Sequence, residues 1–269
     1  IHDQRKGYPE LDEDMVAFVK SEGGLATLAE EYHDFLSAYE QDHSIMRYRL
    51  SEYCAHRIGA VLDGLNYPER SFTAQPPLHT MRAQNTELKK VRSFIRRKNA
   101  KGDFEQQFLK DFPFYFEQAW EAQSKMEQKF GEKGIKESSQ RGSVCHGDYD
   151  HHHVLITGYD MATTDFACCR FDFQVIDLYR FMRKILEKQE WNQRLGMRML
   201  EHYIKIRPLA GEERELLYLR MLYPEKFRKL ANYYYGGNKA WISRRFYDKL
   251  SMLNRQREKK EQFVRLLEW

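Results

Sequence analysis

Apolar residues recur at helical spacing along most of the chain and predict a mainly α-helical protein. The predicted helices are Leu25–Leu36, Met46–Leu62, a basic helix from Pro77 to about Asn99–Gly102, Asp103–Lys129, Leu178–Glu187, Gln193–Ile206, Gly211–Met221 and a final charged helix from about Lys239. A stretch with Gly and Ser, Gly131–Gly142, is predicted to be a loop.

The pattern changes at Ser143, where short apolar runs flank a polar segment. Val144–His146 and Val154–Ile156 are two such runs, and Met161–Phe166 follows a turn at Gly158–Asp160. These runs predict a small two-stranded hairpin with a polar loop before it. The fold class expected from the whole pattern is therefore mainly α, or α+β, with one small β element in the middle.

Charge and composition exclude several classes of function. The net charge of +4, from 44 basic and 40 acidic residues, is too mild for a nucleic-acid-binding protein. The densest basic run, Lys89–Lys98, is best explained as the solvated side of an amphipathic helix, because Leu88, Val91 and Ile95 line its other side. No apolar run approaches the ~20 residues that span a bilayer, so no membrane partner is expected.

The cysteines and histidines favour structural roles. Four cysteines without zinc or disulfide spacing fit a reduced, intracellular setting. Cys145 precedes His146, but neighbours on a strand point to opposite faces, so a buried structural Cys is favoured over a nucleophile. Adjacent histidines in one loop cannot all face one ion, which argues against a tetrahedral metal site formed by His146 and His151–His153.

Histidine and aspartate residues are concentrated in one segment, His146–His153, and two further aspartates, Asp165 and Asp177, follow it. This arrangement resembles the catalytic core of the protein-kinase superfamily, in its aminoglycoside-phosphotransferase and choline-kinase branch. The resemblance implies that Asp148 positions the acceptor and takes its proton, and that Asp165 binds Mg²⁺ on the phosphates. It also implies structural roles for His146, packed under the loop, and for Asp177, capping a helix and tying the catalytic loop through its backbone. Mg²⁺ and ATP are the cofactors expected of an active member.

Two features depart from that family. Five positions after Asp148 the family has an Asn that supplies a second metal contact, and this chain has His153, whose imidazole prefers softer metals. Only 24 residues precede Leu25, without a Gly-rich loop or a strand lysine, so most of the N-terminal β-lobe is expected to be missing. Nucleotide-binding residues are therefore not assigned.

The resemblance becomes more specific downstream. An ordered series of motifs is similar to the CotS-type spore-coat proteins, a kinase-like family of spore-forming bacteria. The motifs are Asp177–Lys184, Glu190–Asn192, Pro208–Glu213, Leu222–Phe227 and Asn232–Tyr235. The first 24 residues are polar and are predicted to form a separate N-terminal segment, and the similarity, which begins at about Leu25, implies a kinase-like C-terminal lobe at residues 25–269. It also implies a location in the mother-cell cytoplasm and the spore coat.

Two functional hypotheses follow. In the first, the chain is a pseudokinase of the spore coat, with degenerate or absent phosphotransferase activity and a structural or binding role among other spore-coat proteins. In the second, it is an active ATP- and Mg-dependent small-molecule or sugar kinase that uses Asp148 and Asp165. The acceptor molecule is not predicted by either hypothesis.

Overall fold

The computed structural model describes residues 77–140, 143–157, 160–236 and 244–268. The polar segment 1–24 and the predicted helices Leu25–Leu36 and Met46–Leu62 lie outside the described residues. The chain forms two compact units. We call residues 139–214 the loop unit, and residues 77–138 together with 215–268 the helical unit.

Helices dominate both units. In chain order they are α1 (Pro77–Arg97), α2 (Asp103–Gln140), α3 (Val175–Lys188), α4 (Gln193–Ile206), α5 (Gly211–Leu222), α6 (Glu225–Gly236), α7 (Arg244–Arg255) and α8 (Arg257–Arg265). The strands are β1 (Ser143–Cys145), β2 (Val154–Thr157), β3 (Asp160–Thr163) and β4 (Arg170–Asp172). Within the described residues, no helix combines the length and apolar character needed to cross a bilayer.

Helix α1 follows the predicted amphipathic pattern. It begins at Pro77, whose fixed φ suits a first helical position. Leu88, Val91 and Ile95 are buried on one side, and the basic residues between them lie at exposed or half-buried positions. The helix ends at Arg97, slightly before the predicted stop, and its last turn is basic, which complements the helix dipole.

Helix α2 is longer than predicted. At its start, Glu105 Oε2 accepts a hydrogen bond of 2.9 Å from the backbone N–H of Gly102, as in half of a capping box. Gly131 breaks the helix with a left-handed φ of 58°, which glycine adopts without a Cβ clash, and the helix then continues to Gln140. The predicted loop is therefore wrong over residues 131–140, where the glycine marks a break in the helix and not its end; residues 141 and 142 lie outside the described residues.

The core of the helical unit is aromatic. The Phe108 ring stacks on Phe227 with centroids 4.8 Å apart, and Tyr115 stacks on the same ring at 4.5 Å. Phe104 stacks on Tyr234 at 5.1 Å. Phe227 belongs to α6, a helix that the sequence pattern did not predict, and the charged C-terminal segment forms two described helices, α7 and α8.

The loop unit contains two antiparallel strand pairs. Strand β1 pairs with β4, and β2 pairs with β3 with Val154 opposite Thr163. Strand β3 ends at Thr163, two residues before Asp165, although Asp165 was predicted at the end of this strand. The reason is local: Asp165 has a left-handed φ of 64°, which cannot continue extended backbone.

Helices α3 and α4 complete the described loop unit. Helix α3 follows β4 after two residues and buries a broad apolar face that includes Val175, Met182 and Ile185. Helix α4 begins at the predicted residue because the Asn192 side chain accepts a 3.0 Å hydrogen bond from the Leu195 N–H. The first turn of α3 lies against the segment between β1 and β2 and supports it.

Candidate functional site

The segment between β1 and β2 is held by one buried carboxylate. Asp177, in the first turn of α3, accepts hydrogen bonds from the backbone N–H of His146 at 2.7 Å and of Gly147 at 3.0 Å. It ties the loop through the backbone, but it is not the helix cap, since Gln174 is the N-cap residue of α3. The predicted helix-capping role of Asp177 is therefore wrong in its detail, because its oxygens are used by the loop instead.

His146 lies beneath the loop and is fully buried. Its Nε2 lies 2.8 Å from the carbonyl oxygen of Thr164, and since a carbonyl only accepts, Nε2 carries the proton. Its Nδ1 accepts a 3.3 Å hydrogen bond from the Asp148 N–H. Burial lowers the pKa of His146 to about 4, so the ring is neutral and links two backbone segments.

Gly147 is required where it stands, although it was not predicted as a site residue. Its φ is +79°, and an added Cβ would lie 2.1 Å from the carbonyl oxygen of Cys168. The Gly147 carbonyl oxygen accepts hydrogen bonds from Arg170 Nη1 at 3.1 Å and Arg180 Nη1 at 3.0 Å. The glycine between His146 and Asp148 was the signal in the sequence for this close approach.

Asp148 is the partly exposed carboxylate of the loop, with 43% of its side chain accessible. Its Oδ1 accepts a hydrogen bond from Nη1 of Arg180, which comes from α3. The guanidinium group of Arg180 is thus bound to both the Gly147 carbonyl and the Asp148 carboxylate. Arg180 was not predicted as a site residue. Its position three residues after Asp177 was the available signal, since residues three apart share a helix face.

His153 and Asp165 meet at the other side of the loop. His153 is buried, and its Nδ1 lies 2.7 Å from the carbonyl oxygen of Asp148. Its Nε2 lies 3.5 Å from Oδ2 of Asp165, whose side chain is 40% exposed. The backbone of Thr164 donates a 2.8 Å hydrogen bond to the carbonyl oxygen of His153, which fixes the two segments side by side.

A second cluster lies in the same loop. Within the described ranges, Asp150, His151 and His152 are the group of three whose potential ligand atoms lie within 4.8 Å of one another. Lysine ammonium groups already occupy two of these donors: Lys184 Nζ is 3.2 Å from Asp150 Oδ2, and Lys188 Nζ is 2.8 Å from His151 Nε2. A metal ion there would have to displace two cations.

Asp150 belongs to this cluster and is ionised despite its burial. Burial alone would raise its pKa, but the Lys184 ammonium group and the His152 N–H hold the pKa of the carboxyl below its usual range. Asp150 Oδ1 accepts a 2.9 Å hydrogen bond from that N–H and so caps the short 3₁₀ turn at His151–His153. This turn carries His153 to its place opposite Asp165.

Cys145 is structural, as its position on a strand predicted. It is buried, and its Sγ donates a 3.2 Å hydrogen bond to the carbonyl oxygen of Asp172. Burial raises the pKa of the thiol, which opposes formation of the nucleophilic thiolate.

His153 thus contacts both the backbone carbonyl of Asp148 and the carboxylate of Asp165, with His146 and Asp177 as supports of the loop. Residues 82–267 match the family model described as "Spore coat putative kinase YutH". The chain belongs to this family. The match covers well over half of the chain, and it confirms the prediction of a kinase-like spore-coat family.

A curated relative agrees with this family. The chain is 24% identical over 140 residues to a Bacillus subtilis (strain 168) protein described as "Endospore coat-associated protein YutH". The alignment covers 51% of this chain and 40% of that protein, so the chain spans less than half of the length of its relative.

A solved structure shows the fold. The chain is similar to an aminoglycoside phosphotransferase from Alicyclobacillus acidocaldarius, with a TM-score of 0.70 and 18% identity, over 93% of this chain and 66% of that one. This similarity confirms the predicted mainly α, kinase-like fold.

Proposed function

We propose that this chain is a coat-associated, kinase-like protein with degenerate or absent phosphotransferase activity, which acts as a binding or structural component of the spore coat. Its membership of a spore-coat family supports the location, and its Bacillus subtilis relative is described as endospore coat-associated. Other spore-coat proteins would be its partners.

The ion pair between Arg180 and Asp148 is the observation that carries this proposal. A general base must offer an oxygen lone pair to the hydroxyl proton that it removes. In this loop the Asp148 carboxylate instead accepts a hydrogen bond from the Arg180 guanidinium. A neighbouring positive charge stabilises the ionised carboxylate and so makes it a weaker proton acceptor.

The donor set also fits Mg²⁺ poorly. Mg²⁺ demands nearly octahedral coordination by oxygen atoms. Next to Asp165, this chain presents the Nε2 atom of His153 at 3.5 Å, where an oxygen donor would suit that ion. The donor atoms at this position therefore favour Mg²⁺ less than a set of oxygen atoms alone would.

An active small-molecule or sugar kinase is the second candidate. It is favoured by the contacts of His153 with both Asp148 and Asp165, and by the hydrogen bonds from the loop backbone to Asp177. In that case Asp148 would take the acceptor proton after Arg180 moves away, and ATP with a divalent metal ion would be the cofactor.

Calorimetric titration of the chain with ATP, first with Mg²⁺ and then with Mn²⁺, separates the two candidates. The variants are Asp165→Asn in the site and Asp248→Asn as the matched control, because Asp248 lies exposed on α7. For a degenerate kinase we expect that no ATP binding is observed that both requires the metal ion and disappears in Asp165→Asn.

The opposite result would be ATP binding that requires the metal ion, disappears in Asp165→Asn and persists in Asp248→Asn. It would contradict the first candidate and favour an active kinase. Circular dichroism of each variant would verify that the fold is retained.

A further inference from the structure

We infer that His153 and Asp165 form a binding site for a transition-series divalent cation such as Mn²⁺, Co²⁺ or Zn²⁺, in preference to Mg²⁺. This inference does not rest on the proposed function, since such an ion can bind whether or not phosphate is transferred. It rests on the hydrogen-bonding state of His153, on the position of Asp165 and on the separation of their donor atoms.

The backbone fixes which nitrogen of His153 faces Asp165. Nδ1 lies 2.7 Å from the carbonyl oxygen of Asp148, and a carbonyl oxygen only accepts, so Nδ1 carries the proton. In the neutral ring Nε2 therefore presents its lone pair. A ligating histidine characteristically donates its other ring N–H to a carbonyl or carboxylate, which orients the ring and increases its basicity. His153 has this arrangement.

Asp165 places a carboxylate in front of that lone pair. Its left-handed backbone, with φ 64° and ψ 60°, turns the residue out of the line of β3. The side chain is 40% exposed, so an ion can reach it from solvent, whereas His153 is buried. Two electron-rich atoms, Nε2 and Oδ2, thus face each other, and a positive charge between them would convert their repulsion into attraction.

The separation of these atoms fits a shared ion. Two ligand atoms about 2.1 Å from a tetrahedrally coordinated ion are roughly 3.4 Å apart. Nε2 and Oδ2 are 3.5 Å apart, which is longer than a normal N–H···O hydrogen bond. One imidazole and one carboxylate leave further coordination positions for water or a ligand from solution.

The chemistry of the donors selects the ion. Imidazole nitrogen binds Mn²⁺, Co²⁺ and Zn²⁺, and affinities for such sites rise along that part of the first-row series from Mn²⁺ to Co²⁺. Mg²⁺ prefers oxygen ligands and gives up water reluctantly. The neighbouring cluster of Asp150, His151 and His152 is a poorer site, because Lys184 and Lys188 lie against its donors.

The test is titration of the chain with Co²⁺, followed by visible absorption, and calorimetric titration with Mn²⁺ and Mg²⁺. Three variants are needed: His153→Asn, Asp165→Asn and the control His152→Asn, which removes an exposed imidazole next to the site. We expect the unmodified chain to bind Co²⁺ at least about tenfold more tightly than Mg²⁺. His153→Asn and Asp165→Asn should each lose about tenfold or more in Co²⁺ affinity, and His152→Asn should not.

Paramagnetic broadening in the unmodified chain provides a measurement that does not depend on the folding of any variant. Added Mn²⁺ should broaden the NMR signals of the His153 ring. At the same concentrations, the ring signals of His79, an exposed histidine on α1, should stay sharp. Equal affinity for Co²⁺ and Mg²⁺, or absence of Co²⁺ binding, would overturn the inference. So would Co²⁺ binding that survives His153→Asn but is lost in His152→Asn, since the ion would then lie in the neighbouring cluster.

Discussion

Each unit buries both apolar and polar side chains, but stacked rings are prominent in the helical unit and a cluster of buried histidine and aspartate side chains is prominent in the loop unit. In the helical unit, rings pack on rings, and Phe108 and Phe227 lie nearly parallel with an angle of 3° between them. In the loop unit, His146, Asp150 and Asp177 are buried together with His153. A buried polar group costs free energy unless it is hydrogen-bonded.

The two kinds of interior have different structural roles. The stacked rings stabilise the helices of the helical unit. The polar interior uses its buried donors and acceptors to hold one loop in one conformation, with Asp177 bound to two backbone N–H groups. A chemical site is therefore expected where the interior is polar, because precise positioning is what the buried hydrogen bonds provide.

Removal of a stacked ring from the helical unit should destabilise the protein most. Phe108→Ala should lower the free energy of unfolding by about 3–5 kcal/mol, because it removes a fully buried ring and leaves a cavity beside Phe227. Urea unfolding would measure the change. Tyr233→Ala is the control, since Tyr233 is 69% exposed and its removal should cost about 0.5 kcal/mol or less. Similar losses in both variants would argue against the stacked core.

Acid pH should have the second largest effect, because it lowers the stability that the buried His146 ring contributes. The pKa of His146 falls from 6.5 to about 4 on folding, because the charged ring is not tolerated when buried. The unfolded chain therefore binds a proton that the folded chain does not. The stability contributed by the neutral ring is fully present above about pH 6.5 and is lost as the pH falls toward about 4. The loss amounts to about 3 kcal/mol.

Urea unfolding of the unmodified chain and of His146→Gln between about pH 7 and pH 4.5 would isolate this contribution. The free energy of unfolding of the variant should depend less steeply on pH than that of the unmodified chain. His79→Gln, which changes an exposed histidine, is the matched control and should keep the original slope. An unchanged slope in His146→Gln would contradict the assigned role of the buried ring.

A smaller loss is expected for Asp177→Asn. The amide would retain one acceptor but turn an N–H₂ group toward a backbone donor of His146 or Gly147, leaving that donor without its hydrogen bond. The expected cost is about 2 kcal/mol. Hydrogen exchange of the His146 and Gly147 amides should accelerate with it. If both amides stay as protected as in the exposed control Asp248→Asn, Asp177 does not hold the loop.

The sequence predicted elements wherever the signal was local. Both ends of α4 were predicted, because the Asn192 cap and the apolar spacing act within a few residues. Gly131 was misjudged, since glycine marks a helix break as readily as a helix end, and only the following backbone decides between them. Helix α6 was missed because its tyrosines were treated as a family motif.

For the candidate site, the motif identified the main residues but not their pairing. Asp148, Asp165 and His153 were found by spacing and by resemblance to a known family. The contact between Arg180 and Asp148 joins residues 32 positions apart in the chain. It depends on how α3 lies against the loop: the spacing of three residues places Arg180 on the same helix face as Asp177, but does not by itself give the contact with Asp148.

Phosphorus NMR of ATP incubated with the chain would show directly whether Arg180 keeps Asp148 from acting as a proton acceptor. The unmodified chain and Asp148→Asn would be compared in Mg²⁺ and then in Mn²⁺. We expect ATP to be lost at the same background rate in the presence of either chain. ATP consumption by the unmodified chain that Asp148→Asn abolishes would contradict the claim and identify a working phosphotransferase.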